Sequence, residues 1–126
     1  MKKIVHTDAA PAAIGPYSQA VISGSMMYTS GQIAIDVNTG NLNDASISIE
    51  TKQVMSNLKA VLEAGGADFD QVIKTTIFLK DMNDFQAVNQ VYAQFFTAAF
   101  PARETVQVAK LPKDVRVEIS MIAAVS

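Results

Sequence analysis

Apolar and polar positions along the chain change period several times, and each change marks an element. Residues 8–20 (DAAPAAIGPYSQA) show no period, and Pro11, Gly15 and Pro16 exclude regular helix. Val21-Ile22 and residues 26–35 read as strands around a Gly24-Ser25 turn. The second carries Ser30-Gly31 in its middle, and glycine inside a strand marks a bulge or a close approach by another group. Around Gly40 the chain reads as a loop. Residues 46–64 predict a helix, with Ile47, Val54, Leu58, Val61 and Leu62 on one stripe and Gly65-Gly66 as a left-handed cap. The β-branched run VIKTTIFL (72–79) predicts a buried strand. A second helix is expected over 83–99, with Phe85, Val88, Tyr92, Phe95, Phe96 and Ala99 as its stripe and Asn83 or Asp84 as its cap. Residues 103–109 and 115–124 complete the pattern as strands around a Pro112-Lys113-Asp114 turn.

The order ββ(β)αβαββ predicts an α+β fold: a mixed sheet with two helices packed on one face. The other sheet face needs a cover, and a partner subunit is the natural one. Composition strengthens this. The 126 residues suit one domain, 1–126, and 49% of them are hydrophobic against 17% charged, more apolar side chain than so small a core can hide.

Charge and residue types then narrow the chemistry. A net charge of −2, with lysines and arginines scattered, gives no electrostatic support for nucleic-acid binding. No stretch approaches the roughly 18 apolar residues of a membrane span, and the N-terminus does not read as a signal peptide. A soluble, cytoplasmic protein is the expectation. The lack of cysteine removes disulfides, thiolate metal sites and a thiol nucleophile. His6 is the single histidine and reads as exposed, so no triad and no metal cluster can be assembled.

A few polar residues stand out. Alternation in the final strand places Val115, Val117, Ile119, Met121 and Ala123 on one face and Arg116, Glu118 and Ser120 on the other. Glu118 is thus a mid-strand carboxylate among apolar neighbours: a solvated or Arg116-paired group, or a functional one. Arg103, after Pro101-Ala102, can present its fork to a carboxylate or lie on the surface. Thr105 faces the same way. Tyr17 is an aromatic lid or a satellite core residue. Ser30 and Gly31 offer a hydroxyl and a backbone amide, or mark a plain bulge. Asn89, beside Val88, reads first as exposed helix surface. Were 103–109 and 115–124 to pair as a tight hairpin, Arg103 and Glu118 would lie roughly 13 Å apart along it.

Several blocks, in order and over nearly the whole chain, resemble the RidA/YjgF family of reactive-intermediate deaminases. They are APAAIGPYSQA (10–20), YTSGQ (28–32), KTT (74–76), DMNDF (81–85), VN (88–89), FPAR (100–103), VAKLP (108–112) and VEI (117–119). Glu104 departs from the small residue usual after the arginine, but alternation turns it away from Arg103. Thr105 stands where some relatives carry cysteine.

The resemblance implies a chorismate mutase-like homotrimer with a site in each intersubunit cleft. It implies hydrolysis of 2-iminobutanoate or 2-iminopropanoate to the 2-oxo acid and ammonia, without metal or other cofactor. Arg103 would hold the carboxylate, Glu118 would orient and deprotonate a water, and backbone near Gly31 or Thr105, with Ser30 and Asn89, would line the pocket. Tyr17 would close it. The small imino or oxo acid is then the ligand, and nucleic acid and membrane are not partners. The competing expectations are a ligand-binding regulator with little turnover, a ribonuclease or translation inhibitor, and a holdase using exposed apolar surface.

Overall fold

The computed structural model describes residues 1–125. Six strands form one mixed sheet: β1 (Lys3–Val5), β2 (Ala20–Ser23), β3 (Met26–Thr29), β4 (Val72–Leu79), β5 (Ala102–Gln107) and β6 (Val117–Ala124). Their spatial order is β1-β2-β3-β6-β4-β5. All neighbours are antiparallel except β4 and β5, which are parallel. Two helices, α1 (Ile47–Ala64) and α2 (Phe85–Ala93), cover one face, giving the α+β architecture the pattern predicts. The core lies between them and the sheet. Val117, Ile119, Met121 and Ala123 point into it from β6, and Val54, Leu58, Val61 and Leu62 meet them from α1.

Local chemistry explains the boundaries. The Ser46 side chain accepts from the Ile49 amide and starts α1, and Gly66, with φ +85°, ends it. Asp84 stands at the N-cap position of α2, as expected, but makes no side-chain cap bond; the capping carboxylate is that of Asp81, at the start of the preceding turn, which accepts from the Asn83 amide. That helix stops at Ala93, six residues before the expected end at 99. The backbone tightens to i→i−3 bonds over residues 94–96, which lets Phe95 and Phe96 both pack edge-on against Phe69 at 5.5 Å.

Two further departures bear on function. The strand expected over 26–35 ends at Thr29. The ladder resumes at the Gln32–Ile119 bridge with the register slipped by one residue, so Ser30-Gly31 is a bulge. The 103–109 segment does not pair with the final strand. It runs parallel to β4 at the sheet edge after the α2 crossover, and β4 lies between it and β6. Lys3–Val5 is an additional edge strand, too short to show a period.

Candidate functional site

Ladder registers fix where each polar side chain faces. Arg103 pairs with Thr75 on β4, and Thr105 with Ile77, so both project toward the helix side. Glu118 pairs with Phe78, three residues along from Thr75, and therefore projects from the opposite face. Two strand spacings and three residues separate the Arg103 and Glu118 backbones by roughly 14 Å, with the sheet between their side chains. The hairpin arrangement is thus replaced by one in which a single chain cannot bring both groups to one small ligand.

On the open face, Glu118 borders a cavity of about 600 Å³. Tyr17, Ser30 and Gly31 line it too, as do Gln32, Ile33 and Ile35. Each wall is tied down. The Ser30 hydroxyl donates to the Ser18 carbonyl at 2.5 Å. The Asn57 amide, buried on α1, donates to the Ile33 and Ile35 carbonyls at 3.0 Å each. Gln19, also buried, receives the Thr7 amide at 2.8 Å and donates to the Pro11 carbonyl at 2.8 Å, fixing the loop that forms the outer wall. Tyr17 is 53% exposed, at the mouth, as a lid would be.

Glu118 is half-buried and ion-paired to nothing among the described residues; burial raises its pKa above the ordinary glutamate value. Arg116 does not pair with it. That guanidinium instead donates to Glu50 at 2.7 Å and to the Asp44 carbonyl at 2.7 Å. Gly31 is the close neighbour: a methyl group there would stand 2.8 Å from the Glu118 carboxyl carbon, so only glycine lets the carboxylate lie against this backbone.

The helix side carries a second cavity, of about 420 Å³, between α2 and the start of β5. Asn89, Tyr92, Phe100, Pro101 and Arg103 line it. Arg103 makes no salt bridge among the described residues; its guanidinium lies over the Tyr92 and Phe85 rings. Asn89 is half-buried in this wall rather than on exposed helix surface. The signal was present in the spacing, because Phe85, Asn89 and Tyr92 fall at i, i+4 and i+7 on one helical face. The Thr105 hydroxyl is buried without a hydrogen-bond partner and borders neither cavity. Glu104 faces away, as alternation requires, and binds Lys74 at 2.9 Å and Thr76 at 3.1 Å. His6 is exposed beside Asp8. The structure therefore divides the predicted residues into two groups: Tyr17, Ser30, Gly31 and Glu118 on one face, Asn89 and Arg103 on the other. Sequence reasoning missed the aromatic pair beneath Arg103 and the wall formed by Gln32, Ile33 and Ile35.

Known proteins give the arrangement its context. The family model for Endoribonuclease L-PSP matches residues 7–125. A Salmonella typhimurium protein named 2-iminobutanoate/2-iminopropanoate deaminase is 51% identical over 126 residues, covering 98% of both chains. A Homo sapiens protein of the same name is 46% identical, over 98% of this chain and 90% of its own. Among solved structures, Escherichia coli TdcF with bound serine superposes with a TM-score of 0.94 at 46% identity, over 98% of this chain and 99% of that one. The Escherichia coli YjgF product does so with a TM-score of 0.93 at 49% identity, over 97% and 98%. A match of this extent, from the 10–20 loop through β6, makes the chain a member of the Endoribonuclease L-PSP family, also called the YjgF/RidA family.

Proposed function

We propose that this protein hydrolyses small 2-imino acids, 2-iminobutanoate and 2-iminopropanoate among them, to the 2-oxo acid and ammonia. The observation that carries this reading is the Arg103 guanidinium, set in a cavity wall with no acidic partner among the described residues. Such a fork suits a ligand carboxylate. The names of the bacterial and human relatives support the reaction type, and the serine bound to TdcF supports a ligand of amino-acid size in this fold.

The site is completed between subunits. Arg103 and Glu118 project from opposite faces, so the Arg103 wall of one copy is set against the Glu118 wall of another in a homotrimer. A row of apolar side chains supports burial of the open face: Ile4, Val21, Tyr28 and Ile122 lie side by side across four strands, with Ile4 and Tyr28 exposed in the single chain.

In that cleft the carboxylate rests on Arg103, and Asn89 offers its amide beside it. Glu118 takes a proton from water as the water oxygen bonds to the imine carbon. The tetrahedral carbinolamine then collapses to the carbonyl, and the proton leaves with ammonia. A raised pKa suits a carboxylate that must both accept and return a proton. Water and a protonated imine balance the 2-oxo acid and ammonium, and the imine carbon is electrophilic enough to need no Lewis acid. The ribonuclease reading has the family's name behind it, but the net charge of −2 opposes it.

The test is ammonia release from freshly generated 2-iminopropanoate. A charge-assisted hydrogen bond contributes about 1.5–3 kcal/mol, so Arg103→Ala should lose at least about tenfold in kcat/KM. Arg103→Lys should recover little, since a point charge lacks the fork. Near-normal activity in both variants would place the carboxylate elsewhere.

A further inference from the structure

The chain has two arginines, and they are held in opposite ways. Arg116 is fixed by an acid, Glu50. Arg103 is fixed by rings: its guanidinium carbon lies 5.1 Å from the centre of Tyr92 and 5.6 Å from that of Phe85. Both distances are within reach of a cation–π contact. We propose that Tyr92 and Phe85 are positioning residues that hold the Arg103 fork oriented toward its cavity before any ligand arrives; this rests on reading Arg103 as the carboxylate anchor.

The rings are themselves immobilised. Tyr92 is 4% exposed, packs on Phe96 at 4.8 Å, and donates its hydroxyl proton to Thr75 Oγ1 at 2.9 Å. Thr75 is also the ladder partner of Arg103. Backbone pairing and the cation–π contact through Tyr92 therefore both tie Arg103 to the same point on β4. Burial holds the Tyr92 pKa above its ordinary value, so the ring beneath the cation stays neutral.

The choice of rings over an acid has a chemical consequence. A carboxylate would orient the guanidinium equally well, but it would occupy the N–H fork that the ligand needs. Rings at 5.1 and 5.6 Å place the cation without putting an acceptor in its fork, and Arg103 makes no salt bridge among the described residues that would occupy its donors. A long side chain that has already lost its rotamer freedom also loses less on binding.

The two arginines make a direct readout available. Protein labelled with ¹⁵N should show two side-chain Nε–H resonances, and Arg103→Lys identifies the one from Arg103. Ring currents should shift that resonance away from the solvent-exposed position. In Phe85→Leu and Tyr92→Leu it should return toward that position, while the Arg116 resonance stays. Calorimetry should show the Kd for 2-oxobutanoate rising about two- to tenfold in the leucine variants, the scale of ordering one long side chain on binding. Tyr92→Phe keeps the ring and its packing on Phe96 and loses only the Thr75 hydrogen bond, so it should keep most of the shift and of the affinity. Phe85 is only half-buried at the start of α2, so Phe85→Leu carries the test if Tyr92→Leu does not fold.

If both rings are merely structural, the variants will melt lower while the Arg103 resonance and the Kd stay unchanged; that result overturns the proposal. If Arg103→Ala weakens binding and the leucine variants do not, only the positioning role falls. If Arg103→Ala binds 2-oxobutanoate normally, the anchor reading fails and the inference falls with it.

Discussion

Glu118 and Arg116 stand two positions apart in sequence and meet opposite electrostatic conditions. Arg116 has its acid, whereas Glu118 has burial and no ion pair among the described residues, although Lys113 lines the same cavity. Because burial raises the Glu118 pKa, the fold favours its protonated form. That contribution to stability is complete below the unfolded-state value, 4.5, and is lost as pH rises through the higher folded value. The ionised carboxylate is thus a destabilising group at neutral pH. Glu118→Gln, which is never charged, should melt above wild type at neutral pH, and the difference should close below the ordinary glutamate range. The same variant should lose about 10²-fold in turnover, the low end for general base catalysis because imines also hydrolyse unaided. The wild-type rate should climb with pH through a midpoint above 4.5 as the base ionises. A Gln variant with unchanged turnover would leave Glu118 without a role in the chemistry. At this scale much was legible. Period-2 alternation alone placed Arg103 with Thr105 and turned Glu104 away from them. The rings under Arg103 were not, because their contact depends on β5 reaching the sheet edge beneath α2.

That position of β5 is a property of elements and their connections. Nine residues, 108–116, separate β5 from β6, and they include Pro112 and two left-handed residues, Lys113 and Asp114. This is a folded connection, not a hairpin turn. A helix lies between β4 and β5, and a strand–helix–strand unit crosses over to pair in parallel. The sequence contained that clue in the order β4–α2–β5, and the turn-like Pro112-Lys113-Asp114 obscured it. The connection returns to the sheet at Arg116. Its amide donates to Glu50 Oε2 at 2.8 Å, its side chain to Glu50 Oε1, and its carbonyl receives the Lys80 amide at 3.0 Å. Glu50, 1% exposed on the first turn of α1, thereby fixes where β6 begins and which way Glu118 faces. Nothing in helical periodicity distinguishes such a glutamate from a surface one. Arg116→Ala would leave a buried carboxylate with only its backbone partner, and a cost of about 3 kcal/mol is expected. Urea denaturation should show this as a lower midpoint with an unchanged slope. A midpoint within error of wild type would mean that the backbone amide alone satisfies Glu50.

At the scale of the whole molecule, composition and topology raise the same requirement from different directions. The chain is too apolar for its size, and the face of the sheet opposite the helices presents the Ile4, Val21, Tyr28 and Ile122 row. Opposite projection of Arg103 and Glu118 adds a chemical reason for association under the proposed function, in which one site needs both groups. Light scattering at micromolar concentration should give the mass of a trimer. A sharper test asks which chain supplies which group. Arg103→Ala and Glu118→Gln chains, each expected at about a tenth of wild-type activity or less, are mixed, unfolded and refolded together, or co-expressed. In a closed ring each cleft takes its arginine wall from one chain and its glutamate wall from the next. Random mixing of equal amounts then leaves about one cleft in four with both groups intact, so activity should return to about a quarter of wild type. If both groups of a site came from the same chain, every cleft in the mixture would lack one of them, and mixing would restore nothing. Recovery therefore requires both the oligomer and the division of the site between subunits, while a flat result with trimers still present would keep the assembly and remove the shared cleft.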